Sequence, residues 1–199
     1  MLFKEYTRYT TPVNEDPPYI VYEPRGTYSH RLFSTEVDAY EQLEKHKCPH
    51  VQKYFGCYKV RFEDRGDKID YDMTVNVIML ESVEGPKLSD LLDCDRIDAQ
   101  PEEYVDEMVD RLYESIDSIH ASGVSHGSVF PDNCIIEEGK HPIGKAVWTD
   151  FIYSSLIGGD MDSKEVLRLT DSDVGRITRL MMSVYDRREE LGILVPKWE

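Results

Sequence analysis

The chain has 199 residues, 40% hydrophobic and 31% charged, with 23 basic against 39 acidic side chains and a formal net charge of −16. That size suits one globular unit or two small lobes around a cleft, and an aromatic share of 11% is too large for a disordered chain. The acidity repels phosphate backbones and anionic membranes, so neither nucleic acid nor a membrane is an expected partner.

Taken in chain order, residues 2–9 alternate loosely and predict a strand, and 11–18, with Pro12, Pro17 and Pro18, predict a break. The opening residues carry no apolar run of signal-peptide length, and no window approaches a membrane span. The four cysteines, Cys48, Cys57, Cys94 and Cys134, have no paired spacing, which suits a reducing compartment, cytoplasmic or nuclear. "YIVYE" (19–23) is β-branched and aromatic and predicts a strand. Residues 31–47 predict a helix capped by Ser34, with Val37, Tyr40 and Leu43 on one face. "HKCPH" (46–50) sets imidazole, thiol and imidazole two residues apart, but no fourth metal ligand lies nearby. Residues 51–62 and 73–83 predict strands joined by a charged hairpin, and Tyr54, Phe55 and Tyr58 are candidate core. Residues 84–92 turn out of the second strand.

The clearest helix is 101–122. Pro101, Glu102 and Glu103 suit its N-terminus, and Val105, Met108, Val109, Leu112, Ile116 and Ile119 form one apolar stripe. Gly123 ends it. Short strands follow at 133–137 and 145–149, and a second amphipathic helix at 172–188. Strands dominate the chain up to residue 83 and helices dominate 84–199, which predicts an α+β chain in two parts divided there.

Two segments carry chemistry. "VSHGSVFPDNCII" (124–136) holds a histidine, a glycine, a serine and, five residues after the serine, an asparagine; "WTDFIYSS" (148–155) follows. In this order and spacing, residues 19 to about 185 resemble the protein kinase superfamily. The chain is also similar to the short kinase-like proteins of filamentous fungi. The resemblance implies a two-lobed kinase-like fold with a shortened N-terminal β lobe (1–83) and a truncated helical C lobe (84–199). It makes Leu80 a gatekeeper, Glu81 to Val83 the link whose backbone meets adenine, and Ile135 the cleft floor. His126, Gly127 and Ser128 stand where kinases hold their catalytic acid. Asn133 and Asp150 stand at its two metal-ligand positions. Glu36 matches the glutamate of the regulatory helix. Asp173 matches the aspartate that opens the central helix and holds the catalytic loop. His126, Phe151 and Tyr40 match members of the apolar stack between the lobes.

The departures fall on the chemical positions. Phosphoryl transfer needs placement and charge neutralisation. Here the acid is Ser128, the neighbouring lysine is Phe130, the strand lysine aligns with Glu23, and no glycine-rich loop precedes Gly26. Ser128 could serve as a nucleophile only with an oriented base, and His126 stands two residues away. The expectation is a kinase-fold pseudoenzyme that binds a partner protein or a ligand in the inter-lobe cleft. No cofactor is expected, unless Asn133 and Asp150 hold magnesium. Two other readings stay open. One is a repurposed enzyme for a small molecule, with Glu23, Glu36 and Asp150 beside His126 for acid–base chemistry. The other is a slow atypical kinase.

Overall fold

The computed structural model describes residues 19–22, 27–63, 72–137, 143–158 and 160–193. The expected strand at 2–9, the break at 11–18, the hairpin turn at 64–71, and Glu23, Arg25 and Gly26 lie outside these residues. The protein is a mixed α+β chain. Its elements are β1 (Tyr19–Tyr22), α1 (Thr27–Lys45), β2 (Tyr54–Glu63), β3 (Asp72–Glu81), α2 (Leu88–Leu91), α3 (Cys94–Ile97), α4 (Glu102–Ala121), β4 (Val124–Ser125), β5 (Cys134–Ile136), β6 (Ala146–Trp148), β7 (Ser155–Leu156) and α5 (Ser163–Glu190).

β1, β3 and β2 form one antiparallel sheet in that order, with Ile20 and Tyr54 both opposite Leu80. β4 pairs with β7, and β5 with β6. The register of β2 slips between Tyr54 and Gly56. That bulge breaks the inward–outward alternation, and it corrects the expectation of an aromatic core there. Tyr54 is half-buried, while Phe55 and Tyr58 are exposed.

Helix α1 starts at Thr27, so Ser34 is not its cap; its hydroxyl donates to the Arg31 carbonyl from inside the helix. The face carrying Val37, Tyr40 and Leu43 is buried as expected. Helix α4 follows the predicted bounds closely. Val105, Met108, Leu112, Ile116 and Ile119 are all fully buried, each contributing roughly 1.5–3 kcal/mol of gross burial. Gly123, at φ +82°, lies just past its end.

Helix α5 differs from expectation. It begins at Ser163, capped by the Asp162 carboxylate accepting from the Glu165 amide, and runs to Glu190. Asp173 therefore sits inside the helix and does not open it. Tyr113 to Thr178 (2.8 Å) and Tyr185 to Asp106 (2.6 Å) tie α5 to α4.

"HKCPH" forms internal bonds: His50 Nδ1 lies 3.0 Å from the Ala146 carbonyl, and Cys48 Sγ 3.5 Å from Ser118 Oγ. Among the described residues no helix is long and apolar enough to cross a membrane.

Near the end of α5, Arg188 is buried. Its guanidinium donates to the carbonyls of Ile97 and Gln100, the latter at 2.8 Å. Arg187 beside it bonds Asp98 at 3.0 Å. The two arginines fix the segment between α3 and α4. Arg188→Ala removes both bonds and leaves the part-buried Gln100 carbonyl without its donor, while the Ile97 carbonyl keeps only the Gln100 amide, and should cost on the order of 1–3 kcal/mol. Thermal denaturation should show a Tm several degrees lower, at about 2–4 °C per kcal/mol for a chain of this size.

Candidate functional site

The site is built around Asp173, which is fully buried in the middle of α5. Its carboxylate accepts four hydrogen bonds, from His120 Nε2 (3.0 Å), Ser125 Oγ (2.9 Å), the His126 amide (2.8 Å) and the Gly127 amide (3.0 Å). Burial pushes the carboxyl pKa up, but the four donors outweigh it and hold the group below its ordinary value. One residue thus sets the backbone of the loop 125–127. Gly127 turns at φ +71°, and a Cβ there would lie 2.0 Å from the Tyr153 carbonyl oxygen. Only glycine fits this contact between the loop and the turn after Phe151. Arg176, one turn along α5, donates to the Gly127 carbonyl at 3.0 Å.

This backbone drives His126 inward. Its ring is fully buried, 4.4 Å from the Phe151 centroid and 5.3 Å from that of Trp148. Phe151 lies 5.1 Å from Tyr40, which stacks on Tyr54 at 5.9 Å. The expected stack of His126, Phe151 and Tyr40 is assembled, and Tyr54 and Trp148 extend it. Trp148 donates its indole N–H to Ser115 Oγ at 2.7 Å.

His126 Nδ1 accepts from the Ser128 amide at 3.2 Å, which assigns the ring proton to Nε2. That Nε2 has no hydrogen-bond partner. Burial lowers the pKa of the ring to about 4, against the pull of the Asp173 and Asp150 carboxylates. His126 is a neutral packing residue at neutral pH.

Ser128 is buried, at 3% exposure. Asn133 donates its side-chain amide to both the carbonyl (3.0 Å) and the hydroxyl (3.1 Å) of Ser128. The Asn133 carbonyl in turn accepts from the Thr149 amide (2.8 Å) and hydroxyl (3.2 Å), which locks the loop to the end of β6. The histidine touches the Ser128 backbone, not its hydroxyl. The structure therefore brings Ser128, His126 and Asn133 together in an arrangement that activates no nucleophile.

Asp150 follows at φ +64°, in the left-handed region that aspartate tolerates better than most residues. Asn133 offers its amide nitrogen to Ser128, so only its oxygen could face a cation. Among the described residues no group of three or more His, Cys, Asp or Glu forms a metal cluster. Glu36 is half-buried on α1.

In the segment leaving β3, Leu80 is buried. Both polar backbone atoms of Glu81 are engaged within the chain, its amide with the Lys53 carbonyl (2.9 Å) and its carbonyl with Gln52 Nε2 (2.7 Å). Ile135 is half-buried in β5 and bridges Lys87. A cavity of about 300 Å³ opens beside this segment, lined by Glu81, Val83, Glu84, Glu137, Lys145 and neighbouring residues, but not by Ser128, His126 or Asp150.

Sequence reasoning missed Arg176, which belongs to no motif and acts through a backbone carbonyl. It also missed that Asn133 clamps Ser128. The i, i+5 spacing was visible, but the direction of the amide was not. No model of a known protein family matches the chain, and no characterised protein matches it either.

In the unfolded chain His126 takes up a proton near pH 6.5; in the fold it resists to about 4. Between these values the unfolded state binds more protons, so stability is complete above 6.5 and falls as pH drops towards 4. The shift corresponds to about 3 kcal/mol. His126→Phe fills the stack without titrating and should flatten that part of the stability–pH profile measured by urea denaturation. Asp173→Ala leaves several buried donors unpaired and should lower stability by on the order of 1–3 kcal/mol at neutral pH, read from the same denaturation curves.

Proposed function

We propose that this chain is a kinase-fold protein that carries out no phosphoryl transfer and acts by binding a partner protein. The element order supports the kinase-like part of this reading: strand, helix, two strands, link, long helix, loop, Asp-Phe turn and helix follow one another as the resemblance implies. The assembled aromatic stack and the bonds from Asp173 to the loop support it further.

One observation carries the non-catalytic part. Ser128, at the position of the acid, is sealed between the His126 ring and the Asn133 amide. A general base must reach the proton it removes. Ser128 has no charge, almost no access to solvent and no base on its hydroxyl. The engaged backbone of Glu81 argues in the same direction, because it withdraws one of the contacts expected for adenine.

A second reading, chemistry on a small molecule, is favoured only by the cavity beside Glu81 and Glu84. Its lining includes none of the loop residues, so catalysis there would not involve Ser128.

Thermal shift separates these readings. Millimolar ATP with magnesium should leave the Tm unchanged, because saturating binding to the native state would raise it by mass action. A rise of several degrees would refute the proposal. Ser128→Asp should show no phosphotransfer to protein or small-molecule hydroxyls in a radiolabel assay, because restoring one part of a machine whose parts act as a unit does not restore its rate.

A further inference from the structure

The surface around Gly127 has an unusual composition for so acidic a chain. Phe130 is 53% exposed and Tyr153 is 60% exposed. The Arg176 guanidinium lies 5.1 Å from the Phe130 ring centroid while it bonds the Gly127 carbonyl, and the Tyr153 backbone abuts Gly127 from the other side. Arg179 lies one turn further along α5, exposed, its guanidinium folded back to the space over Gly175. Positions three apart share a helix face. Exposed Phe130 and Tyr153 and the guanidinium groups of Arg176 and Arg179 therefore flank the Gly127 turn and the adjacent turn of α5.

Some basic side chains of the chain hold a carboxylate, while others, such as Arg188, bond only backbone carbonyls. Arg111, Arg168 and Arg187 each hold a carboxylate, as does Lys145. Arg176 and Arg179 hold none among the described residues, although acidic side chains outnumber basic ones by 39 to 23 in the chain. Carboxylates are abundant and yet absent from this pair. Tyrosine and arginine are also enriched among the side chains that dominate binding energy at protein interfaces, and phenylalanine is enriched in such interfaces.

We propose that Phe130, Tyr153, Arg176 and Arg179 form a docking patch for an acidic segment of a partner protein that also carries an aromatic side chain. Carboxylates of that segment pair with the two guanidinium groups, and its ring packs on Phe130 and Tyr153. The inference rests on the partner-binding reading and gives that partner a chemistry. The net charge of −16 slows the approach of an acidic partner, so recognition rests on short-range contact.

The test is fluorescence anisotropy with the full chain and a labelled random copolymer of glutamate and tyrosine, beside a lysine–tyrosine copolymer. Saturable binding of the acidic copolymer is expected, weakened about tenfold or more by Arg179→Glu and by Phe130→Ala. Both positions are exposed, and an unchanged Tm certifies each variant; Tyr153→Ala is a third that leaves α5 untouched. Absence of saturable binding overturns the proposal, as does binding that none of the variants weakens. Equal weakening of lysine–tyrosine copolymer binding by Arg179→Glu and Phe130→Ala also overturns it, because the patch would then not select an acidic segment. Stabilisation by ATP is scored separately, so failure of the patch leaves the non-kinase reading standing, and a nucleotide response refutes that reading whatever the copolymer does.

Discussion

The fold of the loop region depends on one buried carboxylate. An ionised aspartate inside a protein is costly unless its oxygens are filled with donors, and Asp173 receives four. Those donors come from α4, from β4 and from the loop after it, so one side chain holds three successive pieces of chain against α5. The rest follows from this geometry. With the amides of His126 and Gly127 turned towards α5, the His126 ring must point into the aromatic stack. The chain then reverses at Gly127, where it lies against Tyr153.

The same geometry explains why a serine is tolerated at 128. His126 already lies in the field of Asp173 and Asp150. A third carboxylate at 128 would add like charge to a buried region, with phenylalanine at 130 where a lysine would balance it. Serine removes that repulsion, and its hydroxyl accepts the Asn133 amide instead. Position 128 is thus more stable uncharged, and the closed bonding of His126, Ser128 and Asn133 satisfies it.

Much of this was legible in the residues, and the failures have physical causes. Helix α4 was readable because five apolar residues at three- and four-residue spacing leave no other period to fit. The stack of Tyr40, His126 and Phe151 and the bonding role of Asp173 were readable through the resemblance. Ser34 misled because a serine before an apolar stripe is a strong cap signal, whereas α1 extends a further two turns to Thr27. The start of α5 was missed because its first turns expose Leu167 and Arg168 and lack an apolar stripe; only the Asp162 cap marks it. Phe55 and Tyr58 were misplaced because a bulge shifts the alternation of a strand and leaves no signature in a single sequence. Arg188 was overlooked because arginine is seldom buried without a carboxylate, and here backbone carbonyls serve instead.

Composition divides the chain at residue 83, but burial does not follow composition. A single hydrophobic cluster runs from Val37, Tyr40 and Leu43 on α1, through Ile78 and Leu80 on β3, to Ile119, Trp148 and Val184. A three-stranded sheet gains stability when its hydrophobic face packs against a helix. Helix α1 supplies that contact and a link to the rest of the chain. It packs on the sheet, and its Gln42 side chain donates to the Ser122 carbonyl at 3.0 Å, while Tyr40 reaches Phe151. Through Tyr40 the stack joins α1 to the loop that Asp173 holds. Displacing the Phe151 ring would open the contact with His126 and the contact with Tyr40 together. His126 Nε2 has no polar partner in this stack, so that edge of the ring is held by packing. Tight packing of that kind transmits strain, so the sheet and the loop bearing Ser128 are bound into one cooperative unit by rings.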